Sequence, residues 1–230
     1  SLRDLQPVAD MTNPLNIRIG NPSLKPSYTN TFTLNYNSYN VNHQRNMVVS
    51  LFVENVLNSV TNQVTYDSET GGRTTMPVNL NGNWRASGSL SLSGPFNNRN
   101  WLFRTYSYLQ YRNQNGYTTQ NKEEPMKSSV QHLTARERLQ LTFRTRQLEL
   151  SARGEVFYNN SYNNVKDMRT ETFDYQLGGD LQYYLPWGFE CSSDLTYFLR
   201  TGYGYDSSGR KNLIWNCLLY TSDAADERSS

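Results

Sequence analysis

The sequence predicts an all-β fold, namely part of an antiparallel up-and-down transmembrane β-barrel, with about nine strands in an open, curved sheet. Three observations support this fold class. Polar and apolar residues alternate with a period of two along much of the chain, short and long connections follow each other in turn, and apolar residues make up only 36% of the 230 residues. No segment shows helical periodicity of comparable strength.

The composition excludes several other classes of protein. A soluble globular protein usually contains about 45–50% apolar residues, so this chain has little material for one central core. Disorder is a poor alternative, because aromatic residues make up 13% of the chain and disordered chains are poor in them. The net charge of +2 gives no reason to expect a nucleic acid as partner. No apolar run approaches the roughly 20 residues of a membrane-spanning helix, but a membrane-spanning strand needs only about 9–11.

The alternation is clearest in five segments, which in chain order are TFTLNYN, WRASGSLSLSG, RLQLTF, LELSARGEV and FDYQLGGDLQY. In RLQLTF, for example, Leu139, Leu141 and Phe143 share one face and the intervening polar residues share the other. Each of these strands therefore has one apolar and one polar face, which is the pattern of a barrel wall between lipid and a wet lumen.

The connections between the strands alternate in length. The short ones are VNHQRN, GPFNNRN, TRQ and PWG, and the long ones are YDSETGGRTT, NQNGYTTQNKEEPMKSS, NNSYNNVKDMR and TGYGYDSSGRKN. All long loops therefore fall on one side of the sheet. Outer-membrane barrels have short periplasmic turns and longer extracellular loops, whereas a soluble sandwich or propeller has no reason for this asymmetry.

A tight hairpin at TRQ places Arg144 opposite Glu149 and Arg138 opposite Glu155, so that opposite charges pair on the polar face. Any hairpin produces some such pairs; a soluble sheet explains less well their repetition beside a lone apolar face. Glu137 is an exception, because it falls on the apolar face about eight residues from the turn. A charge in lipid costs roughly 1–4 kcal/mol depending on depth, so we expect Glu137 at or above the outer rim.

The segment LQPVADMTNPLNIRIGNPSLKPSYTNTFTLNY is the most specific stretch. Its Asn13-Pro14, Gly20-Asn21-Pro22 and Leu24-Lys25-Pro26 resemble the NP…GNP.LKPE stretch of TonB-dependent receptors, in particular the Bacteroidetes-type outer-membrane β-barrel family related to SusC-like transporters. Ser27 stands where that family often has Glu. The resemblance runs from about Leu5 to Asn216 and implies a barrel of about 22 strands around an N-terminal plug.

On this basis the chain divides into three parts. Residues 1–26 form an extracellular segment leading into the first strand, 27–216 form part of the barrel, and 217–230 form a non-native tail. The alternation stops after Asn216, and CLLYTSDAADE back-translates to a sequence that looks like read-through into a common sequencing adapter. A natural solvated tail or a short strand is the alternative. The plug domain, the TonB box and the terminal strand of the family have no counterpart in the sequence.

The sequence contains no catalytic constellation, and His43 and His132 each lack a partner at metal-ligand spacing. We therefore expect no enzyme activity and no cofactor or metal. The charges of the polar face would point into the lumen, where they either form an electrostatic lining or guide an anionic or sugar ligand. The candidate ligand-binding residues are Arg104, Arg136 and Arg138 on this face and Tyr117, Tyr203 and Tyr205 in the extracellular loops.

The predicted function is that of an outer-membrane receptor part, which the resemblance implies to be TonB-dependent and to import a large nutrient such as a glycan, an iron chelate or a peptide. The implied partners are outer-membrane lipid, the plug domain and remaining barrel strands of the same chain, the TonB complex and a surface lipoprotein. Two alternatives stay open: a plug-less porin or structural barrel, and a secreted soluble glycan-binding β-protein. The soluble alternative would fold in plain buffer, whereas a barrel fragment with an apolar outer face should require detergent.

Overall fold

The computed structural model describes residues 2–67, 69–96, 98–120, 126–204 and 211–221. One short helix, α1 (Leu2–Leu5), precedes thirteen strands. The strands are β1 (Ala9–Asp10), β2 (Asn16–Ile19), β3 (Tyr28–Asn40), β4 (Arg45–Leu57), β5 (Ser59–Tyr66), β6 (Arg73–Leu80), β7 (Asn83–Phe96), β8 (Asn98–Gln120), β9 (Met126–Arg144), β10 (Leu148–Asn163), β11 (Met168–Leu185), β12 (Phe189–Thr201) and β13 (Lys211–Thr221). In these ranges no helix is long and apolar enough to cross a membrane.

Nine of the strands form a continuous antiparallel path in the order β3-β4-β7-β8-β9-β10-β11-β12-β13. Within the described residues β3 pairs only with β4, and β13 pairs only with β12, so the sheet is open and its two edges do not meet. The predicted all-β, antiparallel fold class is confirmed. The predicted number of strands is too low, because β1, β2, β5 and β6 lie outside this path.

The four additional strands build a small layer beyond the long-connection end of the sheet. β5 and β6 form a hairpin in the connection between β4 and β7, and β5 pairs in parallel with the end of β8. β2 pairs in parallel with β6, and β1 pairs with β2. The N-terminal 26 residues, predicted to be a loop segment, therefore contain α1, β1 and β2. The two N-terminal strands have only two and four residues, and a period-2 pattern needs about four or more to be recognised.

Two of the predicted long loops are mostly strand. β8 continues to Gln120 and β9 begins at Met126, while β10 continues to Asn163 and β11 begins at Met168. The stretches NQNGYTTQNKEEPMKSS and NNSYNNVKDMR therefore extend their hairpins and leave only short connections. The reason is physical: once a strand passes beyond an apolar environment, water wets both faces, so the backbone ladder persists without an apolar pattern in the sequence.

The predicted register of the β9–β10 hairpin is confirmed. Arg144 lies opposite Glu149 and Arg138 opposite Glu155. The turn between the two strands is closed by the amide of Thr145, which donates to the carbonyl oxygen of Leu148 at 2.7 Å. A one-residue slip would move every apolar side chain of the hairpin to the other face, so the alternation specifies the register.

The described part of the chain has almost no interior. Leu80, at 8% exposure, is the one buried aliphatic side chain there, and Pro77 is fully buried. Large side chains of the apolar face are exposed instead, with Leu139 at 58%, Leu177 at 61% and Leu195 at 46%. A soluble protein rarely exposes a contiguous apolar surface of this kind, so this face requires an apolar environment.

Candidate functional site

The outer, apolar face carries two girdles of aromatic side chains. Toward the short turns, the rings of Trp101 and Phe143 lie 4.9 Å apart between centroids. Toward the long connections, Trp84 and Tyr111 form a second pair at 4.7 Å. Trp101 and Tyr111 are ten residues apart on β8, which at roughly 3.3 Å per residue and a tilt of about 40° separates the girdles by about 25 Å along a barrel axis. This is the height of the apolar band of an outer-membrane barrel.

Glu137 lies on the apolar face between these girdles. It pairs in register with Ser107 on β8 and with Val156 on β10, and its Oε1 accepts a hydrogen bond from the hydroxyl of Thr105 at 2.9 Å. The expectation that Glu137 lies at or above the outer rim is therefore wrong, although the register on which it rested is correct. The carboxylate is retained inside the band with a hydroxyl donor beside it, which reduces its desolvation cost.

Two arginines share the carboxylate of Glu155 on the inner face of β9 and β10. Nη2 of Arg138 lies 2.5 Å from Oε2 of Glu155, and Nε of Arg136 lies 3.2 Å from its Oε1. The guanidinium of Arg136 also lies 5.2 Å above the ring of Phe157. Two arginines and one glutamate leave a net positive charge at this point of the wall. An anionic group on a ligand or on a covering domain could therefore be bound here.

A second inner cluster lies one strand further along. Nη1 of Arg153 donates to both carboxylate oxygens of Asp180 at 2.6 Å, and its Nη2 donates to the hydroxyl of Thr196 at 2.9 Å. Arg153 reaches over Gly178, where a Cβ would come within 2.7 Å of the Arg153 Nε. Both charges are about one-third exposed, so this pair is a structural brace of the wall more than a free binding group.

A small polar pocket of about 280 Å³ opens near the long-connection end of the inner face. Arg85, Glu54 and Arg112 line it, together with Gln114. The Arg85 and Glu54 side chains stand 3.9 Å apart, and within the described residues the buried Nε of Arg85 has no hydrogen-bond acceptor. A guanidinium with a spare N–H beside an exposed second arginine can bind a carboxylate or a sugar hydroxyl by donating a hydrogen bond to its oxygen.

The tyrosine candidates occupy different environments. The hydroxyl of Tyr203 donates to Oδ2 of Asp174 at 2.9 Å. Partial burial of the phenol, and secondly this hydrogen bond, raise the pKa of Tyr203 above its ordinary value. Tyr117 is half-buried where β8 meets β5, opposite Gln63, and Tyr205 lies outside the described residues. Tyr203 is therefore held by the wall and is not a free stacking platform.

The predicted arginine candidates lie on one face but only two of them meet. Arg136 and Arg138 share Glu155, as above. Arg104 lies on the same face, opposite Gln140 on β9, and within the described residues it forms no ion pair. Glu54 and Arg112 are pocket residues that the sequence patterns do not single out. Both occupy polar-face positions in strands whose residues alternate between polar and apolar, so the alternation could have indicated them. Neither residue lies beside a recognisable motif.

Asparagine side chains fasten the N-terminal segment to the β5–β6 hairpin. Asn21 Nδ2 donates to the carbonyl oxygen of Pro77 at 3.0 Å. Asn79 accepts from the amide of Lys25 at 2.6 Å and donates to the Lys25 carbonyl at 2.9 Å and to that of Asn58 at 2.8 Å. The motif positions Asn21 and Lys25 thus have a structural task, which is to hold the extracellular layer on the sheet.

An open antiparallel sheet with an apolar outer band, two aromatic girdles and a charged inner face defines the wall of a transmembrane β-barrel. The chain belongs to the outer membrane protein beta-barrel family, whose model matches residues 1–182. This membership indicates a location in the outer membrane and gives no support to the secreted soluble alternative. No curated protein matches the chain. Within the described residues no group of three or more His, Cys, Asp or Glu side chains could hold a metal ion.

Proposed function

We propose that this chain is the wall of a TonB-dependent receptor that imports a nutrient too large for a porin, such as a glycan, an iron chelate or a peptide. The observation that carries the proposal is a path of nine antiparallel strands which, within the described residues, does not close on itself. Eight strands already suffice to close a small barrel whose lumen is filled by side chains. A wall of nine strands with free edges favours a wider barrel, and wide barrels serve as channels or as plugged transporters.

Strand length also supports a large receptor. β8 has 23 residues and β9 has 19, whereas about 9–11 suffice to cross a bilayer. The surplus raises the inner wall well beyond the membrane on the long-connection side, where the extracellular layer is fastened to it. Such a wall provides a deep vestibule in which a large ligand can be captured before passage.

The charged inner face then has two tasks. Arg136 and Arg138 keep one positive charge beyond what Glu155 neutralises, and Arg104 adds another on the same face. In a plugged barrel these groups face the plug domain, and the pocket of Arg85 and Glu54 nearer the outer opening faces the ligand. The partners of this proposal are the plug domain and further strands of the same chain, the TonB complex, and a surface lipoprotein. Neither catalysis nor a cofactor is part of it.

Single-channel conductance of the full-length protein in planar bilayers separates this proposal from a plug-less porin. A plugged receptor should give no steady conductance in its resting state, whereas a porin should give a constant open current. Uptake of labelled oligosaccharides, ferric chelates and peptides by cells with and without a functional TonB complex is the second measurement. A constant open current, or uptake that does not depend on TonB, would overturn the proposal.

A further inference from the structure

The outer face carries a groove of about 850 Å³ that begins at a cationic side chain. Its walls include Phe103, Leu139 and Leu177, and its floor is formed at Ala152 and Gly154. These two small residues of β10 leave a depression between large residues of the neighbouring strands, because the missing side-chain volume is not filled from elsewhere on a single-layered sheet. The groove is thus a built feature of the lipid-facing wall, within the size range of small-molecule sites.

Arg45 closes one end of the groove. It is the first residue of β4, directly after a short turn, and short turns lie on the periplasmic side of outer-membrane barrels. Its stem lies across Gly94, where a Cβ would come within 2.7 Å of the Arg45 Cγ. Within the described residues Arg45 forms no ion pair. The groove therefore begins at the periplasmic surface with an exposed guanidinium.

The far end of the groove lies deep in the apolar band. Leu177 is eight residues from Leu185, the short-turn end of β11. At roughly 3.3 Å per residue and a tilt of about 40°, this places it about 20 Å above the periplasmic turns. A depth of about 15 Å already corresponds to one leaflet of a hydrocarbon core about 30 Å thick. The groove therefore spans the depth of a lipid tail from a charged headgroup level inward.

We propose that this groove binds one phospholipid of the periplasmic leaflet, with its phosphate on Arg45 and an acyl chain over Ala152 and Gly154. The charge complementarity decides the occupant: a phosphate matches the free guanidinium at the interface, and a tail matches the apolar walls. A β-strand or helix of a second copy would need polar backbone groups satisfied inside lipid. The inference rests on the outer-membrane location and not on nutrient import.

Native mass spectrometry of the full-length protein, extracted from outer membranes in a non-ionic detergent, tests the proposal with dioleoylphosphatidylglycerol and dioleoylglycerol as probes. The wild type should retain one phosphatidylglycerol. Gly154→Ile should weaken this binding more than tenfold, because the new side chain fills the floor of the groove. The added Cβ would lie 3.6 Å from Leu177 Cδ2, an ordinary van der Waals contact, so the backbone can accommodate it. Ala86→Ile, on the same face but outside the groove, is the matched control and should bind as wild type.

The cationic end is tested separately. Arg45→Gln should weaken phosphatidylglycerol binding about fivefold and leave dioleoylglycerol binding unchanged, because dioleoylglycerol carries no phosphate. Arg99→Gln removes an equal charge from an exposed position near another short turn and should have no effect. Folding of every variant is checked by its heat-modifiable migration in SDS gels. Wild-type binding by Gly154→Ile, equal losses in the two control variants, or a protein dimer that Gly154→Ile dissociates would each overturn the proposal.

Discussion

Replacing Glu137 by leucine should stabilise the complete barrel in a bilayer. Glu137 lies seven residues before the end of β9 at Arg144, which corresponds to about 18 Å above the periplasmic turns. In an apolar band about 25 Å high, this is about 5 Å from the midplane. A basic residue costs about 2–4 kcal/mol at the midplane and an acidic one less, so about 1–2 kcal/mol is expected for this carboxylate.

Part of that cost is already offset in the native protein, because the hydroxyl of Thr105 donates a hydrogen bond to Glu137 at 2.9 Å. Glu137→Gln keeps an acceptor for Thr105 and removes the charge, so it should stabilise by less than Glu137→Leu. The gain from leucine should remain about 1 kcal/mol or more, because the substituent also matches the neighbouring Leu139 and Val156 in lipid.

Equilibrium urea unfolding of the full-length protein in phospholipid vesicles measures this difference. The matched control is Glu155→Leu, because Glu155 pairs with Arg138 on the opposite face of the same hairpin. This control should destabilise the barrel, since it leaves Arg136 and Arg138 without their carboxylate. Destabilisation by Glu137→Leu of about 1 kcal/mol or more, or stabilisation by Glu155→Leu, would refute the assignment of the two faces.

Three further predictions follow from contacts outside the lipid band or on the inner wall. Asn79→Ala removes both hydrogen bonds to the backbone of Lys25 and should raise amide exchange of residues 16–25 at least tenfold; unchanged exchange would contradict the clamp. The pKa of Tyr203 is raised, so its phenol should ionise above the ordinary value near 10. The stability that the neutral phenol contributes should therefore be lost as the pH rises through the raised pKa. Asp174→Asn should bring the Tyr203 transition, seen in the 295 nm absorbance difference against Tyr203→Phe, to lower pH; an unmoved transition would exclude the hydrogen bond as a cause. Asp180→Asn should cost about 1 kcal/mol in vesicle unfolding by weakening the Arg153 contact, and a neutral result would show that the brace is dispensable.

The membrane-facing part of the fold could be predicted from the sequence because lipid enforces a simple rule there. Every outward residue must be apolar or specially tolerated, so RLQLTF and LELSARGEV specify both face and register. The pairing of Arg138 with Glu155 could be predicted for the same reason. Even Glu137 was placed on the correct face and register. Its height was misjudged, because the sequence does not indicate where along a long strand the bilayer ends.

The extracellular part could not be predicted in the same way. Beyond the outer girdle both faces of β8 and β10 are wet, so their continuation to Gln120 and Asn163 leaves no period-2 signal. The parallel contact of β5 with β8 joins residues more than fifty positions apart, such as Gln63 and Tyr117. Such a contact depends on how the folded strands are arranged, and the periodicity of one sequence carries no information about it.

The same distinction explains the role of the most specific motif. A motif is most restrictive where backbone geometry and hydrogen bonding, and not lipid, determine the residue, since lipid accepts any apolar side chain. Asn21 donates to the carbonyl of Pro77, a residue that is fully buried and has no amide hydrogen of its own to pair. Lys25 takes part through its backbone: its amide donates to Asn79 Oδ1, and its carbonyl oxygen accepts from Asn79 Nδ2. The motif thus specifies how the extracellular layer is fastened to the barrel.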